Sequence, residues 1–332
     1  MFAVVLVGGF GTRLRPLTNS TPKPMLTVGH RPIIMQLVEQ LAAAGVTDVV
    51  LALGFRPEPF MDAFPDGTWS GVRLHYAVEP SPLDTAGAVR FAARFAGVDE
   101  TFVVMNGDVL TDLDVAELVR FHRARGAEAT LHLITVGDPS AYGVVDLDGA
   151  GCVRAFVEKP APGTAPSNLA NGGTYVLEPS ILDRIPADVP TSIERATFPA
   201  VVADGRMFAM ATDDYWIDTG RPDTFRRANL DTIDGRRRRQ RCDAVAGEAR
   251  VAPGAQVVHS VVGPGAIIET GAVVRDSVVL AGAHVERDAV VSSSIVAGHI
   301  GTRAHAEGVV VAGGGRVEAG ERVDGVRRPE VA

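Results

Sequence analysis

Up to about residue 235, short apolar runs alternate with segments in which apolar residues recur every three or four positions. Residues 2–7 are wholly apolar and lead into glycines, which predicts a parallel strand buried on both faces. Further strands are predicted at residues 48–53, 72–77, 101–105 and 129–136. This alternation predicts a doubly wound α/β sheet, in which ligands bind beyond the carboxyl ends of the strands.

Residues 32–44 show the clearest helical pattern, because their apolar positions repeat at a spacing of three and four. Pro32 suits the first turn of a helix, and Gly45 suits the position just past its end. Further helices are predicted at residues 85–96 and 115–125. Each predicted helix therefore separates two predicted strands, as the doubly wound architecture requires.

The pattern changes at about residue 250, where a repeat begins. Ser260, Ser277 and Ser294 lie 17 residues apart, and each is followed by two aliphatic residues. Small residues at tight corners and single inward aliphatic residues are typical of a solenoid with three short strands per coil. We expect about four coils, with an atypical terminal coil after Gly298, where the register blurs.

These patterns predict three segments: a catalytic domain at residues 1–235, a linker at 236–249 and a β-helix at 250–332. The linker contains four consecutive arginines at residues 236–239. We interpret this run as a solvated linker or helix end, since no other feature there supports an anion or partner site.

Composition narrows the function classes. The 332 residues carry 32 basic and 40 acidic side chains, a net charge of −8, which argues against general binding of nucleic acid polymers. Cys152 and Cys242 suggest no disulfide framework, which favours a reducing compartment. No apolar run is long enough to cross a bilayer. We therefore expect a soluble cytoplasmic protein that does not act at a membrane.

The glycine-rich stretch after the first strand suits a triphosphate. Gly8, Gly9 and Gly11 let backbone N–H groups approach phosphate oxygens, and Arg13 offers a planar fork that grips them in pairs. Ten residues after Arg13, Lys23 supplies a second cation between two prolines. The loop lacks the Gly-Lys-Ser/Thr of a Walker A motif. Leu14 occupies the third glycine position of a dinucleotide fingerprint, which disfavours redox chemistry.

Two aspartates are candidate ligands for Mg²⁺. Asp108 follows the strand at residues 101–105 through Asn106 and Gly107, and Asp218 lies much later in a Trp-Ile-Asp-Thr-Gly stretch. Mg²⁺ is commonly held by one or two carboxylates, with phosphates and water completing its octahedron. Only the fold can bring these two residues together, and taken alone each would more often be a turn residue.

Residues 8–18 and 22–24 resemble the sugar-nucleotide pyrophosphorylase family, whose signature is G-G-x-G-T-R-L-x-P-L-T followed by P-K-P. The resemblance covers essentially the whole chain and is closest to the branch with an added β-helix, which includes mannose-1-phosphate guanylyltransferases. It implies a Rossmann-like, GT-A-like mixed sheet followed by a small left-handed parallel β-helix of hexapeptide-like repeats. It also implies that Arg13 and Lys23 bind the triphosphate and stabilise the leaving pyrophosphate.

The same resemblance assigns the other site residues. The N-G-D and W-x-D-x-G elements imply that Asp108 and Asp218 hold the metal. The E-K-P element implies that Glu158 contacts the sugar and Lys159 its phosphate. The remaining sugar-phosphate positions are Tyr142, Gly143 and Asn171. The nucleotide-binding positions are Gly8, Gly9, Gly11, Thr12, Glu79, Thr85, Ala86, Gly87 and Asn106.

Two residues depart from the family pattern. Gly172 replaces the alanine of N-A-G, so we expect a looser backbone with room for a different substrate. Asp84 replaces the glycine of P-L-G-T-A-G, which puts the geometry of that loop and the base preference in doubt. The Asp84 carboxylate either accepts from the N1–H and amino group of guanine or faces solvent.

The expected reaction is attack of a sugar 1-phosphate on the α-phosphorus of a nucleoside triphosphate, with GTP and mannose 1-phosphate as the first choice. Residues 107–111 and 192–195 look most like that branch. Glucose 1-phosphate with UTP or dTTP, or a heptose or cyclitol phosphate, stays open. So does a non-catalytic regulatory homologue that binds nucleotide sugars. An added acyltransferase activity with a base among His259, His284, His299 and His305 is a weaker alternative. We expect a homo-oligomer, built through the β-helix.

Overall fold

The computed structural model describes residues 1–54 and 57–330. Its contacts divide the chain into two compact units. The sheet unit consists of Met1–Gly9 and Ile34–Trp216, and the β-helix unit consists of Phe10–Ile33 and Ile217–Ala332. The glycine-rich loop from Phe10 onward therefore groups with the repeat rather than with the sheet. The segment boundaries at residues 235 and 249 stay a prediction.

The secondary structure up to residue 233 alternates as the sequence predicts. The α-helices are α1 (Ile33–Ala43), α2 (Glu58–Ala63), α3 (Asp84–Phe95), α4 (Val115–Arg125), α5 (Phe198–Ala203) and α6 (Pro222–Ile233). The strands are β1 (Phe2–Leu6), β2 (Thr27–Val28), β3 (Arg31–Pro32), β4 (Asp48–Leu53), β5 (Thr68–Trp69), β6 (Val72–Val78), β7 (Phe102–Asn106), β8 (Val109–Thr111), β9 (Ala129–Thr135), β10 (Gly143–Leu147), β11 (Val153–Glu158), β12 (Leu169–Leu177), β13 (Met207–Thr212) and β14 (Trp216–Asp218). Short 3₁₀ turns occupy Thr12–Leu14, Leu17–Asn19, Lys23–Met25, Pro139–Ala141 and Pro179–Arg184, and a π-helical turn occupies Ile193–Thr197.

The sheet unit is built on one mixed sheet. Its main path runs β11-β10-β12-β7-β1-β4-β6-β5, and β9 pairs with both β12 and β13. β1 runs parallel to β4 and β7, whereas β12 runs antiparallel to β7 and β9. Ala3, Val4 and Val5 are fully buried, as expected of a central strand covered on both faces. The predicted doubly wound mixed sheet is confirmed.

The repeat forms a parallel β-helix. Its strands are β15 (Arg250–Val251), β16 (Gln256–Val258), β17 (Val261–Val262), β18 (Ile267–Ile268), β19 (Val273–Arg275), β20 (Val278–Val279), β21 (His284–Val285), β22 (Val290–Ser292), β23 (Ile295–Val296), β24 (His299–Ile300), β25 (His305–Glu307), β26 (Val310–Val311), β27 (Arg316–Val317), β28 (Arg322–Asp324) and β29 (Arg327–Arg328). Within the described residues they make three sheets of five parallel strands each. The expected number of about four coils is therefore one too low.

The register blurs after Gly298 because one corner is shorter than the others. Paired positions on successive coils lie 17 residues apart from Ser260 to Ser277, but only 15 apart from Ser294 to Val309. The shortened corner contains Gly298, where a Cβ atom would collide with the carbonyl oxygens of Ala312 and Gly315. The coil therefore continues past this point, with a tighter turn that only glycine fits.

The segment after α6 packs against the β2–β3 hairpin within the β-helix unit. Asn229 on α6 accepts a hydrogen bond from the Gly29 N–H at 3.1 Å, and His30 Nε2 lies 2.8 Å from the Asp243 carbonyl oxygen. Arg237 is only 3% exposed, whereas its three arginine neighbours are exposed. The interpretation of residues 236–239 as solvated is therefore wrong for Arg237, because this side chain is buried.

In the range 1–54 and 57–330, no helix combines the length and the hydropathy that crossing a membrane requires. Cys152 and Cys242 are both free thiols.

Candidate functional site

The phosphate loop is folded back on itself at a left-handed residue. Gly11 has φ +59°, a conformation that glycine adopts without steric cost. A Cβ atom there would lie 3.0 Å from Thr18 Cγ2 and 3.5 Å from Lys23 Cβ. The Thr18 hydroxyl donates to the Gly11 carbonyl at 2.8 Å. The signature threonine thus fastens the loop, which brings the backbone at Gly11 close to Lys23.

Three charged groups from separate motifs converge on Gly220. A Cβ atom at Gly220 would lie 2.7 Å from Arg13 Nη2, 2.8 Å from Asp218 Oδ1 and 3.1 Å from Lys23 Nζ. Lys23 is 6% exposed, and its Nζ lies 3.5 Å from Asp218 Oδ1. A buried ammonium needs an opposite charge, and Asp218 supplies it. A side chain at Gly220 would push the ends of these three side chains aside, so glycine lets the three charged groups approach one another closely.

Asp218 is oriented by its own turn. The Gly220 N–H donates to Asp218 Oδ1 at 2.7 Å, and the Lys23 contact falls on the same oxygen. Arg13 is exposed, so the two cations differ in their access to solvent. A buried lysine and an exposed, planar guanidinium together suit a polyanion such as a triphosphate.

In the sheet unit, the carboxyl ends of β1 and β7 lie side by side. Leu6 pairs with Asn106, and the Gly107 N–H donates to the Leu6 carbonyl at 2.9 Å. A Cβ atom at Gly107 would lie 2.7 Å from that carbonyl oxygen, so only glycine allows this approach. The turn places Asp108, which is partly exposed, just beyond the sheet edge. This is the position at which ligands of such sheets bind.

The metal ligands predicted from sequence belong to different units, Asp108 to the sheet unit and Asp218 to the β-helix unit. No cluster of three or more histidine, cysteine, aspartate or glutamate side chains suited to a metal occurs in the described part of the chain. Mg²⁺ needs no such cluster, since substrate phosphates and water supply most of its ligands. Carboxylate oxygens are the donors it prefers.

Glu79 occupies the predicted base pocket as a buried carboxyl. It is 9% exposed and accepts the Leu83 N–H at 2.9 Å. Burial raises the pKa of Glu79 above its usual value. Its carboxylate also orders the turn that leads into α3.

The other predicted nucleotide contacts in this loop are engaged within the protein. The N–H groups of Ala86 and Gly87 donate to the Thr191 carbonyl at 2.8 and 3.3 Å. The Thr85 hydroxyl donates to Glu194 at 2.8 Å and accepts from the Ile193 N–H at 2.8 Å. These groups hold the segment before α5 against α3. Their predicted contact with nucleotide stays a prediction.

Asp84, which stands at the glycine position of the P-L-G-T-A-G pattern, has a left-handed backbone conformation. Its φ is +58°, and its carboxylate accepts the N–H of Thr85 at 2.7 Å. Aspartate tolerates the left-handed region better than most residues, because its short side chain bonds to the local backbone. A positive φ at this position is therefore compatible with aspartate. The side chain is exposed.

On the sugar side, a bend brings Glu158 and Lys159 together. Adjacent strand residues normally point to opposite faces, but Lys159 has φ +48° and its Nζ lies 3.3 Å from Glu158 Oε1. The Lys159 N–H donates to the Tyr142 carbonyl at 2.9 Å. At Gly143 a Cβ atom would lie 2.9 Å from Glu158 Oε2. The predicted elements Tyr142-Gly143 and Glu158-Lys159 are thus neighbours on paired strands.

Asn171 makes two internal hydrogen bonds. Its amide nitrogen donates to the Tyr175 hydroxyl at 2.9 Å, and its oxygen accepts the Gly173 N–H at 3.0 Å. Burial raises the pKa of Tyr175 far above its usual range, so this hydroxyl stays protonated. Gly173 in turn lies against Asn106, since a Cβ there would be 2.7 Å from Asn106 Nδ2. The Asn171 side chain therefore fixes the backbone of β12 at Gly173, the residue that packs against Asn106.

The space at Gly172 is filled, which corrects the expectation of a looser pocket. A Cβ atom at Gly172 would lie 2.6 Å from Nδ1 of His132, a fully buried residue on β9. Burial lowers the pKa of His132 to about 4, so the imidazole is neutral near pH 7. The Gly172 carbonyl accepts from Trp216 Nε1 at 2.8 Å, and the Trp216 ring packs edge-on against Tyr142.

Sequence reasoning missed His132. Its only signal was a histidine in the middle of the otherwise apolar or hydroxyl-bearing run of β9. A lone histidine on a buried strand is usually structural. In addition, nothing in the local sequence links His132 to Gly172, which follows 40 residues later.

Two family descriptions match the chain. "Nucleotidyl transferase" covers residues 2–235, and "GlmU-like, C-terminal hexapeptide" covers residues 228–323. The second match agrees with the three-sided parallel β-helix and identifies it as the left-handed hexapeptide type.

Known relatives carry consistent names. The chain is 41% identical over 272 residues to the mannose-1-phosphate guanylyltransferase of Mycobacterium tuberculosis, an alignment that covers 80% of this chain and 72% of that protein. It is 44% identical over 229 residues to the mannose-1-phosphate guanyltransferase of Schizosaccharomyces pombe, covering 68% and 62%. The structure of HddC from Yersinia pseudotuberculosis complexed with GMP-PN superposes with a TM-score of 0.57 at 28% identity, covering 69% and 97%. From this sheet, this phosphate loop and these matches, the chain belongs to the nucleotidyl transferase family.

Proposed function

We propose that this protein joins GTP to mannose 1-phosphate and releases pyrophosphate, forming GDP-mannose. The observation that carries the proposal is the convergence of Arg13, Lys23 and Asp218 on Gly220. Two cations and one carboxylate meet around Gly220, where a Cβ atom would lie within 3.1 Å of each. The names of the relatives, at 41% and 44% identity, support the choice of guanine and mannose.

The reaction is a direct displacement at phosphorus. An oxygen of the sugar phosphate forms a bond to the α-phosphorus, while the bond from this phosphorus to the oxygen bridging the β-phosphate breaks. That electron pair leaves with pyrophosphate. The nucleophile is already an anion, so no general base is required. Arg13 and Lys23 stabilise the charge that develops on the leaving group, and Lys159 binds the phosphate of the sugar.

We propose that the enzyme uses Mg²⁺, with Asp108 and Asp218 as its protein ligands. When bound, the ion would neutralise phosphate charge at the reacting centre. The Gly220 N–H and the Lys23 ammonium both contact Asp218 Oδ1. The chain's own contribution is to hold this carboxylate in one orientation.

Glu79 and Asp84 are the candidates for reading guanine. Guanine presents two neighbouring N–H donors, and a carboxylate accepts both at once. Both carboxylates accept a backbone N–H, Asp84 from Thr85 and Glu79 from Leu83, but Asp84 is exposed at the start of α3 whereas Glu79 is buried. We therefore assign base recognition to Asp84 and the ordering of the loop to Glu79.

We also propose that the protein is cytoplasmic and forms a homo-oligomer through the first coil of the β-helix. Its two free thiols favour a reducing compartment. Val251 and Val258 on that coil are 38% and 47% exposed, which is unusual for a residue type that is normally buried.

The test is pyrophosphate release with Mg²⁺ over a grid of nucleoside triphosphates and sugar 1-phosphates. We expect release with GTP and mannose 1-phosphate, and a loss on the order of 100-fold or more in Asp108→Ala. Asp66→Ala, which removes an exposed carboxylate from the same unit, is the matched control and should keep full activity.

Another productive pair, such as glucose 1-phosphate with dTTP, would correct the substrates and keep the reaction class. No release from any pair, with nucleotide-sugar binding retained, would replace the proposal with the regulatory alternative.

A further inference from the structure

One sheet of the β-helix, formed by β17, β20, β23, β26 and β29, carries two rows of side chains. The second residues of its first four strands belong to the β-helix core, so the first residues point away from that core. The outward row, read through the strand register, is Val261, Val278, Ile295, Val310 and Arg327.

The four aliphatic members of this outward row are buried although they face away from the core. None of them is more than 4% exposed. Part of their cover is α6, which packs against β17 and β20. Because apolar side chains become this inaccessible only under a second layer, the outward row is a packing face for other parts of the β-helix unit.

The fifth position of the row breaks the apolar pattern. Arg327 stands where four coils have valine or isoleucine, and its Nη1 donates to the carbonyl of Arg15 at 2.7 Å. Arg15 lies in the phosphate loop, directly after the 3₁₀ turn Thr12–Leu14. The last coil of the repeat therefore reaches the backbone of the loop that carries Arg13.

The chemistry explains why an arginine is found there. Arg15 leaves the 3₁₀ turn with an extended ψ of 141°, so its carbonyl does not continue the hydrogen bonding of that turn. A guanidinium is always charged, and a hydrogen bond from a charged donor is stronger than one between neutral groups. The Arg15 N–H donates back to the Thr12 carbonyl at 3.2 Å. The N–H of Arg15 closes the 3₁₀ turn, and its carbonyl accepts from Arg327. The hydrogen bond from Arg327 therefore orients the backbone at the end of the turn.

We propose that Arg327 is a positioning residue: its hydrogen bond to the Arg15 carbonyl holds the phosphate loop in the shape by which Arg13 meets the triphosphate. The identity of that ligand rests on the proposed function, but the contact between Arg327 and the loop does not. Arg327 touches no reacting atom and acts through Arg15 and Arg13.

The experiment compares Arg327→Met with Arg327→Lys. Methionine keeps an unbranched apolar stem, which suits a row of aliphatic residues, but it removes the donor. Lysine retains a charged N–H donor group. Arg322→Met, on the exposed strand β28 of the same coil, is the matched control.

The first readout is amide hydrogen exchange of residues 11–19, measured without substrate. We expect about tenfold faster exchange in Arg327→Met, recovery in Arg327→Lys, and no change in Arg322→Met. The second readout is steady-state kinetics. In Arg327→Met we expect kcat/KM for GTP to fall about five- to tenfold, with KM for mannose 1-phosphate within about twofold.

The outcomes separate this inference from the proposed function. The positioning role is overturned if amide hydrogen exchange of residues 11–19 is unchanged in Arg327→Met. It is also overturned if these amides exchange as fast in Arg327→Lys as in Arg327→Met. An active enzyme whose Arg327→Met kinetics equal those of Arg322→Met overturns it as well. If the wild type proves inactive with every pair but the exchange pattern holds, the positioning role stands and the proposed function fails.

Discussion

Histidines serve the sheet and the β-helix in different ways. His132, on β9 of the sheet unit, is fully buried, and burial lowers its pKa to about 4. On the β-helix, the side chains of His284 and His299 are 31% and 25% exposed, and each contacts a glutamate of the preceding coil. His132 packs closely against Gly172 and its Nε2 lies 2.9 Å from Thr212 Oγ1, whereas the β-helix repeats one arrangement on successive coils.

The repeated arrangement includes backbone groups. Glu269 accepts His284 Nε2 and the Arg287 N–H, and Glu286 likewise accepts His299 Nε2 and the Thr302 N–H. A second repeat runs through the core serines, since the Ser277 N–H donates to Ser260 Oγ and the Ser294 N–H donates to Ser277 Oγ, both at 3.1 Å. In these two repeats a polar group thus has a partner one coil away, while His132 contacts Gly172 and Thr212, which lie much farther away along the chain.

The largest expected effect on stability comes from a substitution that disturbs the contact between Gly172 and His132. Gly172→Ala places a methyl group 2.6 Å from His132 Nδ1, and we expect a loss of about 3 kcal/mol in the free energy of unfolding. Chemical denaturation measures it. Gly137→Ala, where a Cβ would have no neighbour within 4 Å, should change stability by far less.

A double-mutant cycle with His132→Ala tests the cause of that loss. If His132 is the obstacle, Gly172→Ala should cost at least 1 kcal/mol less in the His132→Ala background. Equal costs in both backgrounds would show that the strain lies elsewhere.

A smaller effect is expected in the serine ladder. Ser277→Ala removes the acceptor of the buried Ser294 N–H and the donor to the Arg275 carbonyl, which should cost about 2 kcal/mol. Thermal unfolding of the whole chain measures it, with the exposed Ser293→Ala as control. Because coils interact mainly with their neighbours, hydrogen exchange should rise in the adjacent coils and stay unchanged in the sheet unit. A rise throughout the chain would contradict the local character of the repeat.

The smallest effect concerns pH. Hydrogen bonds from Thr302 and His299 lower the pKa of Glu286 to about 2, below its value in the unfolded chain. The stability supplied by this carboxylate is therefore present above about pH 4.5 and is lost as pH falls towards 2. Glu286→Gln should be less stable than the wild type at neutral pH, and the difference should shrink over that interval. A difference that stays constant down to pH 2 would show that the charge of Glu286 contributes nothing.

The two kinds of arrangement also differ in how far sequence alone predicts them. The 17-residue repeat of serines and small corner residues predicted the β-helix, because such a period is a local property of the chain. The coil count was one too low, since the shortened corner at Gly298 shifts the period without ending it. The bend at Lys159 could not be predicted from the sequence, because lysine as a residue type gives no indication of a positive φ.

By itself the sequence determined the alternation of strands and helices, the repeat and the phosphate loop. Each of these follows from the residues within one element or from a short period. Only the tertiary structure decided that Arg13, Lys23 and Asp218 converge on Gly220, that His132 fills the space beside Gly172, and that Arg327 reaches Arg15, 312 residues earlier. The physical reason is that these contacts depend on close packing and on the exact aim of a donor. Neither the periodicity nor the composition of a chain indicates which distant residue will contact a given side chain.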